Sequence, residues 1–448
     1  MITKIKTDSM KFKLTVLALL VGFLSFGQTK KWSLMECVEH ALENNLTIKQ
    51  GKNTLLSNEQ DIKSAKGNFL PSVGASVGQN VSFGQTELFP GEFVNRTSQS
   101  TSLSLGLSQT IFNGFRNTYF YKQAQLTYET NELELNRIRD DISLNIANSY
   151  LNVLFNKERL EVAKAQYEFS TKQLEQVGEL VDSGVQPRAN IYDAEATLSN
   201  DAQAVTVAQN NYNLALLSLS QILQVPFEGF DVQIIEVDTP SAELMYNDIK
   251  PILNYVLNNR NEIKIAEKNI ENSELNVEIS KAGYYPSVSG SYGFGTNAFY
   301  TNLITTEESF FNQLNDNKGH SFGLNVQIPI FSRYQNKTSV AKSKIQVQNS
   351  KLRLDQAKLD LESIVQRAFT DAQAALKTYV AAQKSLESQE LAFSNSQDRF
   401  NLGSMNSFDL EQARIRLINA QSSLINAKYD FVFKTKILDF YLGKKITL

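Results

Sequence analysis

The residues that could perform catalysis or bind a metal are few and scattered in this chain of 448 residues. Cys37 is the single cysteine, so no intrachain disulfide can form, and the two histidines, His40 and His320, lie far apart in sequence. The sequence contains no glycine-rich phosphate loop, no nucleophile elbow and no Cys/His metal spacing. Most carboxylates fall on long predicted helices, where we expect them to be solvated. We therefore predict no enzymatic activity, no cofactor and no metal.

The chain is organised instead around two long helical hairpins, each built on a turn that contains glycine. Before and after each turn, apolar residues recur at alternating steps of three and four, which is typical of packed helices. The first turn contains Gly184 and the second contains Gly403, at an offset of 219 residues. A glycine just past a helix end supplies a left-handed cap at little cost. Asp201 is the one charged residue within these apolar rows.

Four other segments alternate apolar residues with serine, glycine and asparagine, and they carry almost no charge. This period of two predicts strands at about 71–84, 101–112, 286–296 and 321–331. An apolar outer face and a polar inner face are typical of a membrane barrel that is lined by water. A soluble sheet on a helical body is the alternative. Because even small barrels need about eight strands, strands from several copies would have to combine.

The second half of the chain repeats the first. Pro71-Ser72-Val73 recurs as Pro286-Ser287-Val288, and each half runs from helix through two strands to a long hairpin, 117–225 and 334–442. We predict a first repeat at 28–225, a linker at 226–246 and a second repeat at 247–448. Residues 1–27 are predicted to be a signal peptide, with lysines before a short apolar run. No cysteine follows that run closely, so we predict no lipid anchor.

This ordered set of features resembles the TolC-like outer membrane channel (outer membrane efflux protein) family over essentially the whole mature chain. The segment from Leu34 to Asn45, the two turns with their helices, the Pro-Ser-Val strand starts and the duplication carry the resemblance. It implies an α plus transmembrane β-barrel fold in a homotrimer. Four strands from each of three chains would form a 12-stranded barrel in outer-membrane lipid. The coiled-coil-like hairpins would form an α-barrel that extends far into the periplasm of a Gram-negative bacterium.

The resemblance also implies a function and partners. The chain would be the outer-membrane channel of a tripartite export system, with porin-like passive transport, a periplasmic adaptor (membrane fusion) protein and an inner-membrane pump of the RND or ABC type. Type I protein secretion is the alternative to small-molecule efflux. A structural periplasmic coiled-coil protein is an alternative from a different class, although the uncharged alternating strands argue against it. The net charge of −3 does not suggest nucleic acid as a partner.

The two turns are the candidate contact sites for the adaptor. Gly184 and Gly403 stand where the family has its tip glycine, which its adaptors contact, and Val185 and Ser404 flank them. Helix capping alone would also explain both glycines.

The candidate periplasmic entrance is the second set of residues that the resemblance implies. Asp409 stands where the family can carry a carboxylate ring, but Gln412 replaces a second acid, and Asp409 could simply favour a helix N-terminus. Asn190, Phe400 and Met405 stand where members with a charged latch carry an acid, a tyrosine and an arginine. We therefore expect hydrophobic or backbone contacts, rather than a charged latch, to hold the entrance closed.

Aromatic residues near the predicted strand ends would suit an interfacial girdle, although ordinary strand propensity also explains them. They are Tyr284, Tyr285, Tyr292, Phe294 and Tyr300.

Overall fold

The computed structural model describes residues 31–234, 248–304 and 308–444. The predicted signal peptide and most of the predicted linker lie outside these residues. The chain divides into two compact units. The first unit contains Met1–Lys49, Arg137–Asn259 and Asp360–Leu448, and the second contains Gln50–Asn136 and Arg260–Leu359. None of the helices described combines the length and the apolar content that crossing a bilayer requires.

Helices predominate, and each repeat contributes the same kinds of element. In chain order the elements are β1 (Lys31–Trp32), α1 (Leu34–Asn44), α2 (Leu46–Gly67), β2 (Ser72–Phe89), β3 (Glu92–Asn113), α3 (Arg116–Asp182), α4 (Ala189–Leu223), β4 (Asp231–Val232), α5 (Lys250–Asn259), α6 (Asn261–Lys281), a 3-10 turn (Ala282–Tyr284), β5 (Ser287–Thr301), α7 (Phe310–Asp316), β6 (Gly319–Gln327), α8 (Gln335–Asn401) and α9 (Ser407–Tyr441).

The long hairpins have matching lengths in the two repeats. Helices α3 and α8 have 67 residues each, and the returning helices α4 and α9 have 35 each. Helix α8 contains neither glycine nor proline, and α3 contains only Gly178, so no residue in either one interrupts the backbone hydrogen bonds. These equal helix lengths agree with the offset of 219 residues that relates the first hairpin to the second.

The strands of the second unit form one antiparallel sheet in the order β2-β3-β5-β6. Its register places the apolar residues of neighbouring strands opposite one another: Val77 pairs with Leu103, Leu105 with Phe294 and Tyr292 with Phe322. This apolar face is open, since Val77 is 76% exposed and Phe322 is 84% exposed. Soluble proteins rarely expose an apolar surface as continuous as this one.

The opposite face of the sheet consists of small polar residues and glycine. The hydroxyls of Ser76 and Ser104 lie 2.7 Å apart across β2 and β3. Glycines alternate with the serines so closely that a Cβ on Gly78 would lie 2.9 Å from the hydroxyl of Ser102. Within the four-stranded region the wall that results is uncharged, while Phe299 and Arg96 lie farther out on the same face.

Strands β2 and β3 extend well beyond the ranges that the alternating pattern covers. They remain paired from Ser72 opposite Ser108 out to Phe89 opposite Glu92, because Gly91 adopts a positive φ of 86° and closes a tight turn. Strand β5 ends earlier, with Thr301 opposite Ser98. The outer part of the β2–β3 hairpin therefore projects past the four-stranded region.

Pairs of serines join α6 to α8 within the second unit. The hydroxyls of Ser273 and Ser350 lie 2.7 Å apart in a buried position, and those of Ser280 and Ser343 lie 2.8 Å apart. The two pairs are one heptad apart on each helix, which is the antiparallel register of a packed helix pair. Small side chains allow the two helix backbones to approach closely.

The first unit has the main apolar core. Strands β1 and β4 pair in parallel, and the hydroxyl of the fully buried Tyr150 donates a 2.6 Å hydrogen bond to the carbonyl of Gln233 beside them. Ser33 caps α1 through a reciprocal pair of hydrogen bonds with Glu36. The largest buried side chains around this core are Ile146, Leu160, Leu219 and Leu223, with Val153 and Val232 beside them.

Candidate functional site

The first turn, residues 183–188, ends α3 on a left-handed glycine. Gly184 has a φ of 75°, and its amide donates to the carbonyl of Val181 at 3.0 Å. The amide of Val185 then reaches back to the carbonyl of Leu180 at 2.8 Å. These two bonds satisfy carbonyls that the helix end leaves open. The predicted capping role of Gly184 is confirmed.

The second turn, residues 402–406, has the same construction at the end of α8. Gly403 has a φ of 70°, and its amide donates to the carbonyl of Phe400 at 2.9 Å. The amide of Ser404 donates to the carbonyl of Arg399 at 2.8 Å, and the Ser404 hydroxyl bonds the same carbonyl at 3.0 Å. Both turns therefore present a glycine, and beside it an exposed apolar side chain, Val185 at the first and Leu402 at the second. An added Cβ on either glycine would meet nothing within 4 Å.

Asp409 lies in the first turn of α9 and is exposed. Its amide donates to the side chain of the N-cap residue Asn406 at 2.8 Å, and the Asn406 side-chain amide donates to the Asp409 carboxylate at 3.0 Å. A carboxylate at this place interacts favourably with the helix N-terminus. The side chain is therefore held in a defined position while its charge still faces solvent. Gln412 follows one helical turn later and is half-buried.

The three remaining candidate entrance residues differ in exposure and in their contacts. Phe400 is only 9% exposed, so its ring is already covered within its own chain. Met405 is half-buried, and the Asn190 side chain donates a 3.1 Å hydrogen bond to the Gln186 side chain across the start of α4. No hydrogen bond or ring contact among the described residues joins Asn190, Phe400 and Met405 to one another.

A buried ion cluster lies farther along the hairpins, and the sequence prediction missed it. Arg414 on α9 donates to Asp201 on α4 at 2.8 Å and to Glu411 at 2.8 Å, and its Nη1 lies 3.4 Å from Oε1 of Gln166 on α3. Burial disfavours the charged guanidinium, but the bonds to Glu411 and Asp201 outweigh that effect and raise the pKa of Arg414. The one signal in the sequence was Asp201, the charged residue within the apolar rows.

Three of the predicted girdle residues, Tyr292, Phe294 and Tyr300, lie on the apolar face of the sheet. The Tyr292 hydroxyl is 2.8 Å from Nδ1 of His320, and the rings of Phe294 and His320 are 5.1 Å apart. Tyr284 and Tyr285 are exposed just before β5. The Tyr300 hydroxyl donates to the carbonyl of Glu308 at 3.4 Å.

Nothing in this arrangement brings together a nucleophile, a base and an oxyanion site. Within the residues that the structure describes, no group of three or more metal-ligating side chains occurs. The candidate functional residues are therefore the two glycine turns, the exposed carboxylate of Asp409 and the buried ion cluster around Arg414.

Comparison with known proteins identifies relatives among outer membrane and secretion proteins. The chain is 21% identical over 435 residues to the outer membrane protein TolC of Escherichia coli, which covers 95% of this chain and 84% of that protein. It is 20% identical to the proteases secretion protein PrtF of Dickeya chrysanthemi, over 92% of this chain and 88% of that protein. Its fold matches the outer membrane protein VceC of Vibrio cholerae with a TM-score of 0.72 and 18% identity, over 92% of this chain and 97% of VceC.

The family assignment rests on most of the chain. Residues 37–224 and 252–444 match the family described as outer membrane efflux protein. The chain therefore belongs to the outer membrane efflux protein family, and the TolC-like family predicted from its sequence is confirmed.

Proposed function

We propose that this chain assembles as a homotrimer and forms the outer-membrane exit duct of a tripartite export system. Its sheet contributes to a membrane barrel, and its hairpins form a periplasmic tunnel. An inner-membrane pump and a periplasmic adaptor deliver the cargo to that tunnel. The duct itself is passive, so the pump supplies the energy.

The observation that carries this proposal is the two-faced sheet. One face presents exposed valine, leucine and aromatic side chains such as Val77, Phe322 and Leu324, as a surface in contact with lipid would. The other face presents mainly serine and glycine, and within the four-stranded region it carries no charge, which suits a water-filled interior. A soluble protein would cover the apolar face with other parts of the chain. It would also have no need for such small side chains on the polar face.

The edges of the sheet support assembly from several copies. Among the described residues, β2 and β6 have no strand partner on their outer edges. Free edges are not tolerated in the hydrocarbon layer, because their backbone groups find no hydrogen bonds there. The alternating strand directions allow β6 of one copy to pair in an antiparallel way with β2 of the next. Three copies of a four-stranded sheet give the 12-stranded barrel.

The turns are the proposed docking surface for the adaptor. Gly184 and Gly403, with Val185 and Ser404 beside them, form backbone-rich surfaces that lack a bulky side chain at the glycine. Asp409 and Gln412 line the proposed entrance, and three copies of Asp409 near one axis would attract cations. The hydrogen bonds of Asp409 hold its carboxylate in place for that role.

Small-molecule efflux is the cargo class that we favour, because the matching family is described as an outer membrane efflux protein. Protein secretion is the second candidate. Its support is the relative PrtF of Dickeya chrysanthemi, whose name describes protease secretion. Deletion of the chain followed by parallel assays of drug sensitivity and of secreted protein would separate the two.

The assembly itself is tested by purification from outer-membrane fractions. We expect heat-modifiable migration on a gel, a native mass of three chains and discrete conductance steps in planar bilayers. Recovery of the folded chain as a soluble periplasmic monomer would instead support the structural coiled-coil alternative and would overturn the duct.

The closed entrance has its own test. We propose that Phe400 and neighbouring apolar contacts hold the turns together, since Phe400 is covered within its chain. Phe400→Ala is expected to raise the conductance in planar bilayers. If conductance stays at the wild-type value while the trimer remains intact, Phe400 has no role in closing the entrance.

A further inference from the structure

The loop between β5 and β6 contains a short helix that takes the place of a missing strand. We infer that α7 and Asn317 form part of the barrel wall and that their outer side receives the outer half of β2 from a second copy of the chain. This inference rests on the proposed trimer. It adds a contact between copies above the level at which β6 ends.

Strand β5 extends beyond the end of its partner β6. Their pairing stops at Gly295 opposite Gly319, whereas β5 continues to Thr301. In an antiparallel sheet, every second residue presents its amide and carbonyl to the same edge. Asn297 and Phe299 therefore present theirs to the edge that β6 has left.

Side-chain amides from the loop satisfy those backbone groups. The side-chain oxygen of Gln313 on α7 accepts from the amide of Phe299 at 2.8 Å. The side-chain nitrogen of Asn317 donates to the carbonyl of Asn297 at 2.7 Å. One donor and one acceptor of the strand are thus bonded as a neighbouring strand would bond them.

The helix is fixed in this place by further contacts. Gln313 is buried, and the hydroxyl of Thr296 donates to the carbonyl of Leu314 at 2.5 Å. Ser309 caps the helix. Ala298 lies on the same face of β5 as Thr296 and is almost completely covered. This loop segment is therefore a built part of the sheet.

The strand lengths then indicate what the outer side of α7 meets. Strand β2 has 18 residues but β6 has 9, so β6 can pair with only about half of the β2 edge of a neighbouring copy. The remaining half of β2 would face the position above β6, which α7 occupies. Phe311 on α7 is 78% exposed, and Phe83 on β2 is exposed on the same face of the sheet as Ala298. Contact between them would bury both rings.

Disulfide cross-linking between copies tests this contact. In a Cys37→Ala background, Phe311→Cys is combined in turn with Phe83→Cys, Gln85→Cys or Glu87→Cys, which share one face of β2. Oxidation of the assembled protein in membranes is expected to give covalent oligomers with at least one of the three pairs. Mixing chains of two sizes should give cross-links of intermediate mass, because within one chain β3 and β5 separate β2 from α7.

The matched control is Phe311→Cys with Val73→Cys, which lies near the opposite end of β2 on the same face. It should give no covalent oligomer. An intact trimer without cross-links from any of the three pairs would overturn this inference and leave the proposed function standing. A chain that is monomeric by native mass would overturn both.

Discussion

The guanidinium of Arg414 on α9 lies 2.8 Å from the carboxylate of Asp201 on α4, and both side chains are buried. Residues 213 positions apart are thus joined by an ion pair within the first unit. Burying such a pair costs desolvation free energy, so the pair adds little net stability. Its main effect is to destabilise alternative packings of the helices, because a packing that separates the two groups leaves each charge uncompensated.

Removal of one partner should therefore be costly. Arg414→Met is expected to lower the free energy of unfolding by about 3–5 kcal/mol, because the buried Asp201 and the half-buried Glu411 lose their cation. Chemical denaturation followed by circular dichroism measures the loss. Lys384→Ala is the control, since its 2.7 Å pair with Glu387 is exposed and should be worth less than about 1 kcal/mol. Equal losses in both variants would contradict the role of the cluster.

The turn glycines should be sensitive to alanine for a purely conformational reason. Gly184→Ala and Gly403→Ala are each expected to cost about 1–2 kcal/mol, because φ is positive at both positions although the space for a Cβ is open. Gly178→Ala is the matched control: Gly178 lies inside α3 with open space around it, so alanine should stabilise by about 0.5–1 kcal/mol. Thermal melts of the three variants should therefore shift in opposite directions.

Gly114 combines a positive φ with a close approach. It joins β3 to α3 with a φ of 66°, and a Cβ there would lie 2.7 Å from the carbonyl oxygen of Ala282. Gly114→Ala is expected to destabilise the second unit by about 2–4 kcal/mol, as the sum of backbone strain and overpacking. Gly67→Ala, which meets nothing within 4 Å, should be close to neutral. A neutral result for Gly114 in denaturant titrations would show that the junction relaxes easily.

The stability of the first unit should fall at alkaline pH. Burial, with the nearby Cys37, Glu36 and Asp231, raises the pKa of Tyr150. Because the folded-state pKa lies above the unfolded value of about 10, the stabilisation is complete below that pH and is lost as pH rises through the folded-state pKa.

Melting temperatures between neutral pH and pH 11.5 would measure this loss. Tyr150→Phe should be less stable at neutral pH, since the hydrogen bond to Gln233 is gone, but its melting temperature should fall less steeply above about pH 10. An equally steep fall in the variant would assign the effect to other tyrosines, such as Tyr212 and Tyr429, whose pKa values burial also raises.

Asp409 offers a direct test of the proposed entrance. Asp409→Asn should lower the preference for cations over anions in planar bilayers, because three carboxylates near one axis would lose their charge. Asp398→Asn, also exposed and before the second turn, should leave the reversal potential unchanged. If Asp409 only supports its helix, the variant would lose about 0.3–1 kcal/mol of stability with no change in selectivity.

Features with a regular period could be predicted from the sequence. The helices and most of the strands follow the apolar spacing, and Gly184 and Gly403 follow from the need for a left-handed cap. The alternation wrongly predicted that the last strand reaches residue 331, whereas β6 ends at Gln327. The outer part of the β2–β3 hairpin could not be predicted in the same way, because residues 85–96 lose their alternation and pair only through backbone register.

The candidate site was predicted unevenly for the same physical reason. Glycine turns carry a local signal, whereas the partner of Asp201 depends on the packing of α4 against α9. The role of α7 also depends on register, since Gln313 and Asn317 replace a strand only because β5 outlasts β6. Interactions between distant segments leave little trace in either segment alone.

The two serine pairs between α6 and α8 limit how this part of the molecule can move. Sliding one helix by a single residue would break both hydroxyl contacts at once. A shift by a full heptad, about 10 Å along the axis, would restore only one of the two serine pairs. The paired stretches of α6 and α8 should therefore move as one rigid piece, so that any widening of the proposed duct comes from rotation at other helix contacts and not from shear within this pair.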